Sequence, residues 1–162
     1  MIEAKLWKAF GKFVRRTSYV TSKEIACAAC VSDHLQFLQD VRRHRLPIES
    51  RRHNGRNTYD LVSFTVALIV GELREYGISL SNCGRLLRRV DLDLLGHRVA
   101  KIALDEIDCL IALIPQRDDF DEEFPTSVTS WTEAFQYAQN ENINFIFIPL
   151  HDLLRGKLQG HW

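Results

Sequence analysis

The chain has no apolar run long enough to cross a bilayer. Its most apolar stretch, residues 61–70, contains Ser63 and Thr65 and stops at Gly71-Glu72, short of the roughly 18 residues a membrane helix needs. An uncharged secretory leader core is also missing, because Lys5, Lys8 and Lys12 punctuate residues 1–13. Cysteine is sparse: Cys27, Cys30, Cys83 and Cys109 are too few and too scattered for a disulfide scaffold. A reducing cytoplasm is the expected setting. The sequence holds no phosphate-cradling P-loop, no Gly-x-Ser-x-Gly and no His-Glu-x-x-His. Neither catalytic residues nor a cofactor is expected.

Metal chemistry is equally thin. Cys27-Ala28-Ala29-Cys30 has ligand spacing, but no second Cys or His pair is placed to close a tetrahedral site. A redox pair gains its reactivity at a helix N-terminus, whereas this pair falls at a helix C-terminus. These cysteines, with Cys83 and Cys109, read as small buried side chains. His97, His151 and His161 are isolated, and Asp118, Asp119, Asp121, Glu122 and Glu123 lack the spacing of an EF-hand. That run reads as a solvated acidic loop.

Net charge is zero over 162 residues, yet the charges are sorted. Residues 1–60 hold twelve Lys and Arg against six Asp and Glu, a balance of +6; residues 99–162 hold four against eleven, a balance of −7. A basic first half points towards nucleic acid, and an acidic second half must face away from phosphate. The same sorting also fits two halves that attract one another.

The first half carries the local signals. Ile2, Leu6, Phe10, Phe13 and Val14 recur at helical spacing among Lys5, Lys8, Lys12, Arg15 and Arg16, predicting a basic amphipathic helix that packs its aromatics inward. Thr21-Ser22-Lys23-Glu24 has the form of a capping box. Ile25, Ala26 and Ala29 then face inward, Cys30-Val31 make a turn, and Ser32 caps a second helix whose inner positions are Leu35, Leu38 and Val41. Arg42 shares their helical spacing, and His34, Gln36, Gln39, Arg43 and Arg45 are left for a groove. In Arg51-Arg52-His53-Asn54-Gly55-Arg56-Asn57-Thr58-Tyr59, Asn-Gly supplies the two positive-φ positions of a type I′ hairpin turn, with arginines aligned along one edge of the ribbon. Asp60 caps an apolar helix to Tyr76. Ser79 caps another, with Leu80, Cys83, Leu86 and Leu87 inward.

The order of these signals over about Tyr19 to Arg89 resembles the MerR family of winged helix-turn-helix transcription regulators. The segments that carry the resemblance are Val31-Ser32 between the first two helices, Asn54-Gly55-Arg56-Asn57-Thr58-Tyr59, and Glu72 to Leu87. Cys30 stands where the family has glycine. The resemblance implies that the Ser32–Arg45 helix enters a groove of double-stranded DNA and that the hairpin is a wing. On this chain the expected phosphate contacts are Arg42, Arg43, Arg45, Arg51, Arg52 and Arg56, and Ser32, His34, Gln36, Gln39, Asn54, Gly55, Asn57 and Tyr59 complete the expected DNA-binding set. It further implies a homodimer on an inverted repeat, nucleoid association, and contact with RNA polymerase or another protein.

After Arg89 the long dimer helix of that family is not visible; Leu94 to Glu106, with Leu95, Val99, Ile102 and Ala103 inward, is only a short candidate. Ile107 to Pro115 and Ile143 to Leu150 read as buried strands. Between them lie an acidic loop, Arg117 to Thr129, and a helix from Ser130 to Gln139; a short helix, His151 to Leu158, follows. The expected fold is mainly α with small β: a basic helix (1–18), a MerR-like winged helix-turn-helix domain (19–90), and a small α/β domain (91–162) that dimerises or regulates. The expected function is sequence-specific regulation of transcription. Two alternatives share these residues: an excisionase or architectural DNA-bending factor, and a winged-helix protein-interaction module.

Overall fold

Thr21 and Glu24 begin the first helix by satisfying each other's free backbone groups. The Glu24 N–H donates to Thr21 Oγ1 at 3.3 Å, and the Thr21 N–H donates to Glu24 Oε2 at 2.6 Å. In this computed structural model, residues 20–88, 90–103, 111–116, 127–129, 131–140, 144–150 and 152–154 are described. The expected N-terminal basic helix lies outside them, as do Cys109 and the acidic run 118–123.

The described elements are mainly helical with two small antiparallel sheets. Strand β1 (Val20–Thr21) leads into α1 (Ser22–Ala28) and α2 (His34–Arg43). The hairpin strands β2 (Ser50–His53) and β3 (Arg56–Tyr59) follow, then α3 (Leu61–Glu75), α4 (Leu80–Leu87) and α5 (Leu92–Ala103). The second sheet consists of β4 (Ile111–Gln116), β5 (Ser127–Thr129) and β6 (Asn144–Pro149), with α6 (Trp131–Asn140) before β6. Strand orders are β1-β3-β2 and β5-β4-β6, every pairing antiparallel.

The second helix corrects two expectations. Its cap is Asp33, not Ser32: Asp33 Oδ1 accepts the N–H of Leu35 at 2.9 Å and of Gln36 at 3.2 Å. The helix buries Phe37 in place of Leu35, keeps Val41 inside as expected, and leaves Leu38 half-buried. Leu35, expected inside, is 63% exposed. Strand β5 is a third correction, since Ser127–Thr129 was expected to be loop. Two C-terminal ends move by one residue, at Gln116 and Asn140, and the expected starts at Ile107, Ser130 and His151 lie outside the described residues. The strand expected from Ile107 is described over Ile111–Gln116, the helix expected over Ser130–Gln139 runs Trp131–Asn140, and of the final helix residues 152–154 are described as helical.

Helix α3 is the axis of the core. Asp60 caps it by accepting the Ser63 N–H at 2.8 Å. Its buried residues include Phe64, Val66, Ala67, Leu68, Ile69, Val70 and Leu73, each large one contributing about 1.5–3 kcal/mol of apolar burial. Thr65 tolerates burial because its hydroxyl donates to the Leu61 carbonyl at 2.8 Å. Leu95 and Val99 of α5 join this cluster, as do Ile146, Ile148, Leu150 and Leu154. The inner face of α5 is therefore filled by its own chain.

Three helix ends share one device. After α1, α2 and α3 the backbone turns left-handed at Cys30 (φ 54°), Arg45 (φ 53°) and Gly77 (φ 80°). In each case the next N–H reaches back to the helix: Val31 to Ala26 O at 2.9 Å, Leu46 to Val41 O at 3.0 Å, Ile78 to Leu73 O at 3.0 Å. This is the Schellman arrangement, with an apolar pair closing each end. Only one of the three has the glycine that removes the Cβ penalty.

Candidate nucleic-acid interface

Helix α1 packs against α2, α3 and β3, so one short helix sets both arginine-bearing elements. Two close approaches fix the geometry. At Gly71, α3 lies so near the end of α1 that an added Cβ would strike the Ala28 carbonyl oxygen; at Gly84, α4 lies against the His44 carbonyl at the end of α2 in the same way. The hairpin root is clasped separately. Buried Ser63 accepts the Glu49 N–H and donates to the Glu49 carbonyl, each at 3.1 Å. Two side-chain bonds to one residue hold the start of β2 on α3.

The hairpin forms as its turn residues require. Asn54 (φ 49°) and Gly55 (φ 76°) occupy the two positive-φ positions, and His53 pairs with Arg56. Further back, Arg52 pairs with Asn57, Arg51 with Thr58 and Ser50 with Tyr59. Side chains alternate between faces, which refines the expectation of arginines along one edge. Arg51, His53 and Arg56 share one face, and Arg52 lies on the other with Asn57. The Thr58 hydroxyl donates to the Arg51 carbonyl at 3.0 Å and stiffens the pair.

Arg42, Arg43, Arg45, Arg51, Arg52 and Arg56 are all exposed. Ser32, Gln36, Gln39, Asn54 and Gly55 are exposed as well, while His34 and Asn57 are half-buried. Tyr59 is corrected: at 3% exposure it belongs to the core beside Val20, its strand partner, and has no surface to offer a ligand. Gln36 is engaged, its amide donating to Asp40 Oδ1 at 3.1 Å. His53 and Leu35 join the surface without having been expected there. Alternation from Arg51 would have found His53; Leu35 required the Asp33 cap to be recognised.

The thiols also differ from expectation. Cys83 is buried, and that burial pushes its thiol up to about 11. Cys27 and Cys30 are exposed rather than buried, since Cys27 lies on the outer side of α1 and Cys30 sits past its end. Burial of part of its side chain and the Glu75 carboxylate raise the Cys30 pKa. Among the described residues, no group of three or more His, Cys, Asp or Glu could hold a metal ion, and no helix is long and apolar enough to cross a membrane.

The chemistry on offer is exposed planar cation. Guanidinium groups with fixed forks suit bidentate contact to phosphate oxygens, and here they project from a rigid helix end and a pinned ribbon. No protein-family model, curated protein or solved structure matches the chain.

Proposed function

We propose that this chain is a sequence-specific DNA-binding regulator of transcription, acting through a MerR-like winged helix-turn-helix. In this reading α1 and α2 are the helix pair, α2 enters the major groove, and the β2–β3 hairpin is the wing. The observation that carries it is the set of six exposed arginines on α2, the turn just past it and the β2–β3 hairpin, with α1 packed against both α2 and β3. Arg42, Arg43 and Arg45 then meet phosphates beside the groove, and Arg51 and Arg56 meet those under the wing.

The reading includes a homodimer on an inverted repeat. The α5 helix is committed to its own core through Leu95 and Val99, so the outer strands of the β5-β4-β6 sheet, unpaired on their far sides among the described residues, are the pairing surface we favour. Protein bound to duplexes enriched from a random library, followed by footprinting, tests both parts. The expected footprint is an inverted repeat with half-sites about one helical turn apart. An unstructured footprint of uniform affinity removes sequence specificity, and a single half-site removes the dimer.

A further inference from the structure

Given the duplex-binding reading above, we propose that the outer face of α2 reads adenine and thymine, with Leu35 packed on a thymine methyl and Gln39 paired to the adenine edge. A single exposed leucine is ordinary on any surface; its companions make this one specific. Leu35, Gln39 and Arg42 stand at i, i+4 and i+7, one face of the helix. Phe37 and Val41 occupy the opposite, buried face. The only acid within the helix, Asp40, is half-buried and engaged by the Gln36 amide. The exposed positions of the helix are thus one large apolar side chain, two amides and two guanidinium groups, and the exposed carboxylate at its start, Asp33, is engaged by the N–H groups of Leu35 and Gln36.

Leu35 and Gln39 each match one feature of the major groove, while the arginines beside them are left for phosphates. Thymine alone presents a C5 methyl there, and a glutamine amide fits the acceptor and donor of adenine N7 and N6. Of the two glutamines exposed on α2, Gln36 is tied to Asp40 while Gln39 is held by no described residue. That difference assigns the reading role to Gln39. Leu35 and Gln39 lie within the first two turns, the part of a recognition helix that meets base edges. They are separated by about 6 Å along the helix axis, roughly two base-pair steps. The thymine and adenine they read should therefore lie within about two base pairs of each other.

The test uses duplexes enriched from a random library by the full chain. In the enriched duplex, each thymine is replaced in turn by deoxyuridine, which lacks the methyl, and each adenine by 7-deazaadenine, which lacks N7. At one thymine, methyl removal should weaken wild-type binding roughly fourfold, the value of one buried methyl group. Leu35→Ala should weaken binding to the thymine duplex yet show no further loss with deoxyuridine. Gln39→Ala should become indifferent to 7-deazaadenine at one position within two base pairs of that thymine. Both variants alter exposed residues, and unchanged thermal unfolding confirms that they fold.

Specific binding that is blind to deoxyuridine at every position overturns the inference and leaves the function standing. So does a Leu35→Ala chain that keeps its thymine preference but no longer self-associates; that result would move Leu35 to a protein interface. Failure to retain any duplex at low salt overturns the proposed function itself.

Discussion

The Arg74 side chain is bonded to the backbone of Cys30: Nη1 donates to the Cys30 carbonyl oxygen at 3.1 Å, linking α3 to the turn between α1 and α2. The turn it braces is strained, because Cys30 holds φ 54° where a Cβ crowds the following carbonyl. Cys30→Gly should relieve about 1–2 kcal/mol of that strain, less about 0.5–1 kcal/mol for the freedom glycine gains in the unfolded chain. The expected outcome is a rise of roughly 1–4 °C in melting temperature. Cys30→Ser, which keeps the Cβ, should show none of it. Arg45→Gly provides a contrasting case: the same relief at φ 53°, but weaker DNA binding through removal of a cation.

Gly84→Ala sets two effects against each other. Alanine is favoured over glycine within a helix by about 1 kcal/mol, which alone would stabilise α4. Here the new methyl would meet the His44 carbonyl oxygen, a backbone atom at the end of α2. Overpacking against backbone costs about 1–3 kcal/mol and occasionally more, so the clash wins. Denaturant unfolding should show a net loss of stability. Because α2 bears the proposed base-reading face, DNA binding should weaken beyond what that destabilisation explains.

Most local structure was legible in the sequence because its causes are local. The Thr21–Glu24 capping box, Asp60 and Ser79 as caps, and Asn54-Gly55 as a hairpin turn all act within three or four residues, and each stands where expected. The choice between Ser32 and Asp33 was not legible, since adjacent residues have equal capping chemistry and only packing of Phe37 against the core decides between them. Strands β1 and β5 escaped for another reason. Two or three residues carry no periodicity, and both strands exist through pairing with partners remote in sequence, Val20 with Tyr59 and Ala112 with Val128. The burial of Tyr59 follows from the same pairing. The candidate arginines were visible as residue types, but their division between the two hairpin faces needed the register.

Glu72 makes stability depend on pH. Burial raises its pKa above the usual carboxylate value, and the neighbouring Glu75 raises it further. The folded chain therefore binds more protons than the unfolded one between the ordinary value of 4.5 and the raised folded value. Stability from this group is highest below that window and falls as pH rises through it. Glu72→Gln should stabilise the protein at neutral pH and flatten this part of the stability profile. Equal slopes for the two chains in denaturant melts across acid to neutral pH would contradict the assignment.

The most direct test of the central claim is a salt titration of duplex binding with wild type and the double variant Arg51→Ala, Arg56→Ala. Both residues are exposed and share one face of the hairpin, so their removal should leave the fold intact. If that face lies on phosphates, the slope of log K against log salt should shrink by roughly two, near 0.9 for each phosphate that is no longer neutralised. Affinity should also fall alike for every sequence. An unchanged slope with unchanged affinity would mean that the hairpin does not touch the duplex.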